Sequence, residues 1–339
     1  MPPATRRQAY RSPEPAIPTS ATAETAAPTV AWAAVRLNAY APSSSSSASA
    51  RAAAATLTGS QRASARDNAV MPAVSQALID FANHFRPEPG PGIEIIATPR
   101  YRASIQPDFP IAGPNNVSWI RCPAGEAGEV IREAQAIFAS RRLPFMWTLD
   151  PEAEPPDFAN DLAKHGVHPD PHGAESQVMV MSINSKVDRP PIEGLEIRDA
   201  LADLETFRMA DKAAVEAFEA DMPADTPEAI AMQDRRRVNF GAQGNRHLLL
   251  ATVDGEPAGA GGMSVFPPAG AILQGGAVRP KFRGRGIYRA LVAARQEIAR
   301  NAGVSGLTVW GGHMSGPILA GLGFEKVGWR RFYLDGSTG

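Results

Sequence analysis

The chain has 339 residues, of which 44% are hydrophobic and 20% charged, and its formal net charge is −1. This profile is that of a globular protein with room for about two domains. The balanced charge argues against a dedicated nucleic-acid-binding protein, which carries a basic excess. No run of about 18 apolar residues occurs, so the sequence predicts no membrane-spanning helix. The single cysteine, Cys122, excludes an internal disulfide and favours a reducing compartment, which we take to be the cytoplasm.

Residues 1–75 are rich in alanine, serine, proline and arginine and contain few acidic residues. Such a segment has too few apolar side chains for a core, so the composition predicts disorder. The same bias is typical of an organellar transit peptide. A third interpretation is a spurious extension, with Met71 as the true start. The sequence leaves these three interpretations open.

Residues 76–187 are predicted to form a first unit, after an amphipathic segment at residues 73–85. Apolar periodicity and glycine or proline breaks place its elements in the order strand, helix, strand, helix, strand, at residues 116–120, 126–140, 145–149, 157–164 and 177–183. His165, His168, Asp170 and His172 crowd one segment of this unit. That segment is a connection rich in proline and glycine with no cysteine nearby, so we expect no metal site.

Residues 192–336 are predicted to form a second unit. Its first strand, at residues 194–198, is followed by helices at 201–218 and 227–240 and by strands at 247–253, 258–265 and 271–278. A long helix begins near Gly286, with Ile287, Leu291, Ala294 and Ile298 on one apolar face. A strand at residues 306–310, a short helix from Ser315, Gly323-Phe324 and a last strand complete the unit.

The turn between strand 271–278 and the long helix carries two glycines flanked by arginines, Arg283-Gly284-Arg285-Gly286. Glycines let backbone N–H groups approach an anion, and the first turn of a helix has about four N–H groups without partners. The helix dipole and the arginines favour negative charge there. The pattern therefore indicates a site for a phosphorylated ligand. A solvated basic turn is the plain alternative; a dinucleotide loop lacks its third glycine, and a P-loop lacks its Gly-Lys-Ser/Thr.

Arg283-Gly284-Arg285-Gly286-Ile287-Tyr288 resembles the acyl-CoA pyrophosphate loop of the GNAT superfamily of N-acetyltransferases, whose pattern is Gln/Arg-x-x-Gly-x-Gly/Ala. Tyr288 departs from that pattern at the sixth position. Val278-x-Pro280 and Gly323-Phe324 also match the family, and the ordered match covers residues 194–334. The resemblance implies an α/β fold with a central, mostly antiparallel sheet flanked by helices. It also implies acetyl-CoA as acyl donor, bound by Ala277, Val278, Arg283, Gly284, Arg285, Gly286, Ile287 and Tyr288.

The same order of elements occurs in both units, so the sequence predicts an internal repeat. In the first copy the turn before the long helix contains Glu126 and Glu129 where the second copy has two arginines. Like charge would oppose anion binding there. The layout resembles the tandem GNAT arrangement, in which a degenerate N-terminal half packs on a competent C-terminal half. We therefore divide the chain at 1–75, 76–187 and 192–336.

The resemblance implies transfer of an acetyl group to an amine by direct attack in a ternary complex, with the Val278 N–H as oxyanion donor. No cysteine or serine constellation points to a covalent acyl-enzyme. The tyrosine that many family members use as general acid is replaced by Leu319, and Gln274 lies on the strand that often carries a glutamate base. Replacement proton donors are Tyr288, Ser315, His313 and Tyr333, and candidate bases are Glu216, Glu219 and Asp221.

The acceptor is expected to be a small molecule or a peptide with an amine, and its identity is not encoded in any motif. We expect neither nucleic acid nor a membrane as a partner, and a homodimer is left open. A non-catalytic protein that binds or senses acyl-CoA is the alternative function, since the usual tyrosine and glutamate are missing.

Overall fold

The computed structural model describes residues 73–189, 191–220, 222 and 224–337. The predictions for residues 1–72 and for Asp221 lie outside this part of the chain. Its helices are α1 Gln76–His84, α2 Ala127–Arg141, α3 Phe158–Lys164, α4 Leu204–Ala217, α5 Pro227–Ala242, α6 Ile287–Asn301 and α7 Ser315–Gly321. Its strands are β1 Glu94–Ala97, β2 Arg102–Ile105, β3 Asn116–Ser118, β4 Met146–Leu149, β5 His168–Pro169, β6 Glu175–Ser182, β7 Leu195–Asp199, β8 Arg246–Val253, β9 Glu256–Phe266, β10 Gly270–Val278, β11 Gly306–Gly311 and β12 Glu325–Leu334.

The described strands form one mixed sheet in the order β1-β2-β3-β4-β12-β6-β11-β10-β9-β8-β7, with β5 paired to β12. Two pairs in this sheet are parallel, β3 with β4 and β10 with β11. The other pairs are antiparallel, so the predicted α/β class with a mostly antiparallel sheet is confirmed. The strands of both units join in one continuous sheet.

The strand order is mirrored on the two sides of the β12–β6 pair, except that β7 has no counterpart in the first half. Each half has a parallel strand pair followed by a short helix and a last strand: β3, β4, α3 and β6 in the first half, and β10, β11, α7 and β12 in the second. The two last strands are exchanged. β6 pairs with β11, for example Leu307 with Met181, and β12 pairs with β4, for example Arg331 with Leu149. Each half therefore depends on a strand of the other for a complete sheet.

Helix α1 packs on the second half of the sheet, although the sequence grouped it with the first unit. Ser75 caps the helix by accepting a hydrogen bond from the Leu78 N–H. Leu78 is fully buried against Val178 and Val180 of β6. A Cβ on Gly306 would lie 2.3 Å from a Leu78 methyl carbon, so the glycine gives the helix room to approach β11.

The core divides between the two halves. In the first half, apolar side chains of α2 and α3 cover the sheet around Trp147, which is fully buried, and Cys122 lies in the same cluster. Burial raises the pKa of the Cys122 thiol. In the second half, α6 covers β9, β10 and β11 with Val292 and Ala299. Among the described residues, none of the helices has the length and apolar character needed to cross a lipid bilayer.

Candidate functional site

The glycine-rich turn connects β10 to α6 through a short 3₁₀ turn, Pro280–Phe282. Phe282 is buried against α6 and fixes the start of the turn. Gly284 and Gly286 have left-handed backbones, with φ of 78° and 83°. An L side chain rarely adopts this conformation, so glycine is required at both positions. The local structure follows directly from the sequence pattern.

The N-terminus of α6 is open to a ligand. Gly286 caps the helix without a side-chain hydrogen bond, and the first turn contains no acidic residue. The unpartnered N–H groups of that turn therefore face outward with the positive end of the helix dipole behind them. An anion such as a phosphate group fits this arrangement.

β10 separates from β11 on its way to this turn. The parallel pairing covers residues 271–273 of β10, and β10 then continues to Val278 with β9 as its partner. A bulge lies between Gln274 and Ala277, and Gly275 within it has a φ of 53°. The strand therefore presents an unpaired backbone edge on the side of β11.

The amide directions along β10 identify the free donor on this edge. The Arg279 N–H donates to the Ala258 carbonyl of β9 at 2.9 Å. Successive amides of a strand point to opposite sides, so the Val278 N–H faces away from β9. It points into the gap between β10 and β11, at the same end of the sheet as the N-terminus of α6.

Arg283 is engaged by the protein itself rather than pointing freely into the ligand site. Its guanidinium donates to the Val278 carbonyl at 3.2 Å and to the Ala217 carbonyl at 2.8 Å, and it pairs with Glu219 at 3.4 Å. It thus ties the turn to the end of α4. Arg285 is exposed, with its guanidinium 5.3 Å from the centre of the Phe282 ring.

Two of the candidate bases are held in ion pairs. Glu216 accepts from the Nε of Arg279 at 2.5 Å, and Glu219 pairs with Arg283 as described above. Both carboxylates therefore stabilise the turn that follows β10. Arg279 also binds Glu256 of β9 at 2.9 Å, so a small charge network fixes the two strands and α4 around the turn.

A buried arginine lies against the glycines of the bulge. Arg295 of α6 is 1% exposed. Its Nη1 donates to the Gly262 carbonyl at 3.1 Å and its Nε to the Leu291 carbonyl at 3.0 Å, while Nη2 has no hydrogen-bond partner. A Cβ on Gly276 would lie 3.1 Å from that Nη2 and 3.2 Å from the Tyr288 ring. Burial lowers the pKa of Arg295 and raises the pKa of Tyr288.

The sequence did not single out Arg295, although a signal was present. Ile287, Leu291 and Ile298 define the apolar face of α6, and Arg295 lies four residues after Leu291 on that face. A charged residue on the buried stripe of a helix is uncommon. The sequence alone thus marks Arg295 as unusual, but it does not show which strands the side chain contacts.

The other predicted proton donors divide between two places. Ser315 and His313 follow β11, whose end lies at the same edge of the sheet as the end of β10. The Ser315 Oγ accepts from the Gly312 N–H at 3.0 Å, and His313 is exposed. Tyr333, in contrast, is not brought to the turn. It pairs with Trp147 of β4, because β12 extends past β6 into the first half, and it belongs to that half's core.

Buried polar groups also lie on the opposite face of the sheet, under α4 and α5. Asp211 pairs with Arg236 and accepts from Gln233 at 2.9 Å. Burial raises the pKa of Asp211, although Arg236 opposes the shift. The Oε1 of Gln274 is buried without a hydrogen-bond partner. Arg246 lies 3.8 Å from the centre of the Phe240 ring, and burial lowers its pKa to about 10.

The equivalent turn of the first half has the opposite character. Before α2, Arg100 bridges Glu126, Glu129 and Glu133 at 3.2, 3.0 and 2.7 Å. One guanidinium against three carboxylates leaves this helix N-terminus with negative charge. The acidic turn predicted from the sequence is thus occupied by an internal ion-pair cluster, which opposes binding of a second anion.

Comparison with known proteins finds similarity in the second unit and in the overall fold. The family model described as "Acetyltransferase (GNAT) family" matches residues 210–315. The fold is similar to a GCN5-related N-acetyltransferase from Kribbella flavida, with a TM-score of 0.52, 16% identity and coverage of 72% of this chain and 90% of that one. It is also similar to a protein of unknown function from Staphylococcus epidermidis, with a TM-score of 0.55, 11% identity and coverage of 77% and 99%.

A tandem GNAT protein from the clavulanic acid biosynthesis pathway matches with a TM-score of 0.47 and 16% identity, over 76% of this chain and 87% of that one. No curated protein matches the chain significantly. The family match covers α4 to the start of α7, including the separated strands and the glycine-rich turn. The second unit of this chain is therefore similar to the GNAT acetyltransferase family.

Proposed function

We propose that the protein is an N-acetyltransferase that transfers the acetyl group of acetyl-CoA to the amine of a small-molecule or peptide acceptor. One observation carries the proposal: the unpaired edge of β10 and the open N-terminus of α6 meet at the same end of the sheet. A donor with an extended arm and a pyrophosphate needs both features, one for each part.

The donor site consists of the end of β10 and the turn after it. The pyrophosphate would bind the N–H groups at Gly284 to Tyr288, with Arg285 supplying positive charge and Arg283 holding the turn in shape. The arm would lie along Ala277 and Val278. In this arrangement the Val278 N–H donates to the thioester oxygen, where negative charge develops during attack.

The reaction is a direct transfer between bound donor and acceptor. The neutral amine attacks the thioester carbonyl carbon, the carbon–sulfur bond breaks, the sulfur leaves with its electron pair, and the nitrogen releases one proton to solvent. Tyr288 is suited to donate a proton, because burial raises its pKa and keeps the phenol protonated at neutral pH. Ser315 and His313 are the alternative donors on the β11 side. Cys122 lies in the core of the first half, so it is not a nucleophile for this site.

The acceptor would enter on the face covered by α4 and α5, where Gln274 is buried. Its unpaired Oε1 can accept a hydrogen bond from an amine, although it cannot remove a proton as a glutamate would. We further propose that residues 192–336 carry the catalytic unit and residues 76–187 a non-binding unit, because the turn before α2 is acidic.

A non-catalytic acyl-CoA-binding protein is the second candidate function. Leu319 favours it, since this side chain is buried in the apolar cluster below α6 where family members often have a tyrosine. Gln274 in place of a glutamate favours it too. Both candidates require the same donor site and differ in turnover.

Calorimetry with acetyl-CoA, followed by thiol release with a panel of amines, tests both candidates. We expect micromolar to millimolar binding and amine-dependent thiol release. Arg285→Glu should weaken binding, because it places a negative charge beside the turn, and Arg132→Glu on exposed α2 surface is the matched control. Failure of the wild-type protein to bind acetyl-CoA would refute both candidates, and binding without release would favour the sensor.

A further inference from the structure

We propose that Arg295 is a catalytic residue of this acyl transfer, and that its guanidinium stabilises the negative charge that develops on the thioester group. The charge develops on the carbonyl oxygen during attack and on the sulfur as it leaves. The inference rests on the proposed function and adds a role for a residue that no motif assigns.

Arg295 is a buried cation without a counter-charge. Among the described residues no carboxylate forms an ion pair with it, and its two hydrogen bonds go to backbone carbonyls. Its Nη2 is left without a partner. Burial of a charge that is not paired costs free energy, and an apolar side chain of similar shape would avoid that cost. The residue therefore weakens the fold at a position where packing alone would favour methionine or leucine.

The guanidinium packs against β9 and β10 at positions occupied by glycines. A Cβ on Gly261 of β9 would lie 2.9 Å from its Cζ, and a Cβ on Gly276 of β10 would lie 3.1 Å from its Nη2. The register between β10 and β9 shifts at this point, because Gly276 lies in the bulge between Gln274 and Ala277. The unpartnered nitrogen thus lies against β10 two residues before Val278, along the strand that would carry the donor.

The first half offers an internal comparison. Helices α2 and α6 both have 15 residues and follow equivalent strands. The ninth residue of α6 is Arg295, and the ninth residue of α2 is Gln135. Gln135 is neutral, and its Nε2 donates to Asp335 at 3.1 Å. The first half, whose turn before α2 is acidic, therefore has no buried cation at the equivalent helix position.

Leu319 replaces the tyrosine that serves many family members as general acid, which leaves a role for the positive charge of Arg295. A leaving thiolate is normally protonated by a general acid, and Leu319 cannot supply a proton. A fixed positive charge in a site shielded from water stabilises a developing anion without any reorganisation. The sulfur can then leave as a thiolate and take a proton from Tyr288 or from solvent afterwards, while the amine proton passes to solvent. The step needs no further reactant.

The test compares Arg295→Met and Arg295→Lys with Arg132→Met, an exposed arginine on α2. For each protein we would measure thermal unfolding, the steady-state kinetics of thiol release, and the pKa of the bound CoA thiol from thiolate absorbance. We expect Arg295→Met to unfold at the same or a higher temperature. Its kcat should fall about 10²–10³-fold, in the range found on removal of one preorganised donor, with little change in the KM for acetyl-CoA. Arg295→Lys should recover part of the loss.

The pKa of the bound CoA thiol shows whether Arg295 acts on the sulfur or on the carbonyl oxygen of the thioester. A higher pKa of the bound CoA thiol in Arg295→Met assigns the charge to the sulfur, whereas a lower kcat with an unchanged thiol pKa assigns it to the carbonyl oxygen. Unchanged kcat and thiol pKa would overturn the inference, as would a loss of activity that only follows a lower unfolding temperature. These results leave the proposed function standing, provided that the wild-type protein binds acetyl-CoA and releases its thiol.

Discussion

Replacing Gly284 by alanine tests whether the left-handed turn is what the ligand requires. A Cβ at this position would have no heavy atom within 4 Å, so no neighbour must move. The cost is confined to the backbone, whose φ of 78° places an L-residue in the left-handed region. That conformation costs an L-residue roughly 1–2 kcal/mol.

The strain must appear in one of two measurable quantities. If the turn keeps its shape, the free energy of unfolding falls by about 1–2 kcal/mol, which lowers the Tm by roughly 2–8 °C for a unit of this size. If the turn relaxes in the free protein, the free energy of unfolding does not change. Part of the binding free energy of acetyl-CoA is then used to restore the turn. Because about 1.4 kcal/mol is a factor of ten in Kd, affinity then falls about 5- to 30-fold.

Calorimetry with acetyl-CoA and thermal unfolding without ligand measure the two quantities. Gly284→Asn should be milder, since asparagine tolerates the left-handed region better than alanine. Gly125→Ala in the first half is the matched control, because its Cβ also meets no atom within 4 Å and its φ is not in the left-handed range. If Gly284→Ala matched the wild type in both measurements, the turn geometry would not matter and the reasoning would be wrong.

Three further predictions follow from the described contacts. Tyr288→Phe should lower kcat for thiol release by about 10²–10⁴-fold if Tyr288 is the proton donor. Because burial raises its pKa, the wild-type activity should not lose this group until the pH exceeds 10, the ordinary value for tyrosine. Leu78→Ala should lower the free energy of unfolding by about 2–5 kcal/mol in urea titrations, the range for a buried leucine, whereas Ile318→Ala at an exposed position should change it little. A fragment of residues 192–336 should not fold alone, and co-expression with residues 73–189 should restore soluble protein; a monomeric, cooperatively unfolding fragment would contradict the strand exchange.

The sequence predicted the turn and its helix well because both depend on local chemistry. The glycines at 284 and 286, the apolar face of α6 and the charge reversal before α2 are all visible within short stretches. The predicted helix at residues 126–140 is found at Ala127–Arg141, and the predicted strand at 177–183 is found at Glu175–Ser182. The boundaries differ by one or two residues because helix and strand ends depend on neighbouring elements.

Longer-range features were not readable from the sequence. β1 and β2 were missed, because each has only four residues and no clear alternation. The place of α1 on the second half depends on room left by Gly306 and on β6, which lie far away in the sequence. The ion pairs of Glu216 and Glu219 likewise required the end of α4 to lie beside the turn. Tyr333 was predicted as a replacement proton donor, but the exchange of β12 carries it into the core of the other half.

The exchange of β6 and β12 also gives the first half a part in the sheet around β11. β6 pairs with β11 along residues 306–311 and thereby holds the strand that forms one wall of the donor gap. β11 thus stays paired on this side where β10 has separated from it on the other. The first half supplies that partner, and its acidic turn has no bearing on this task.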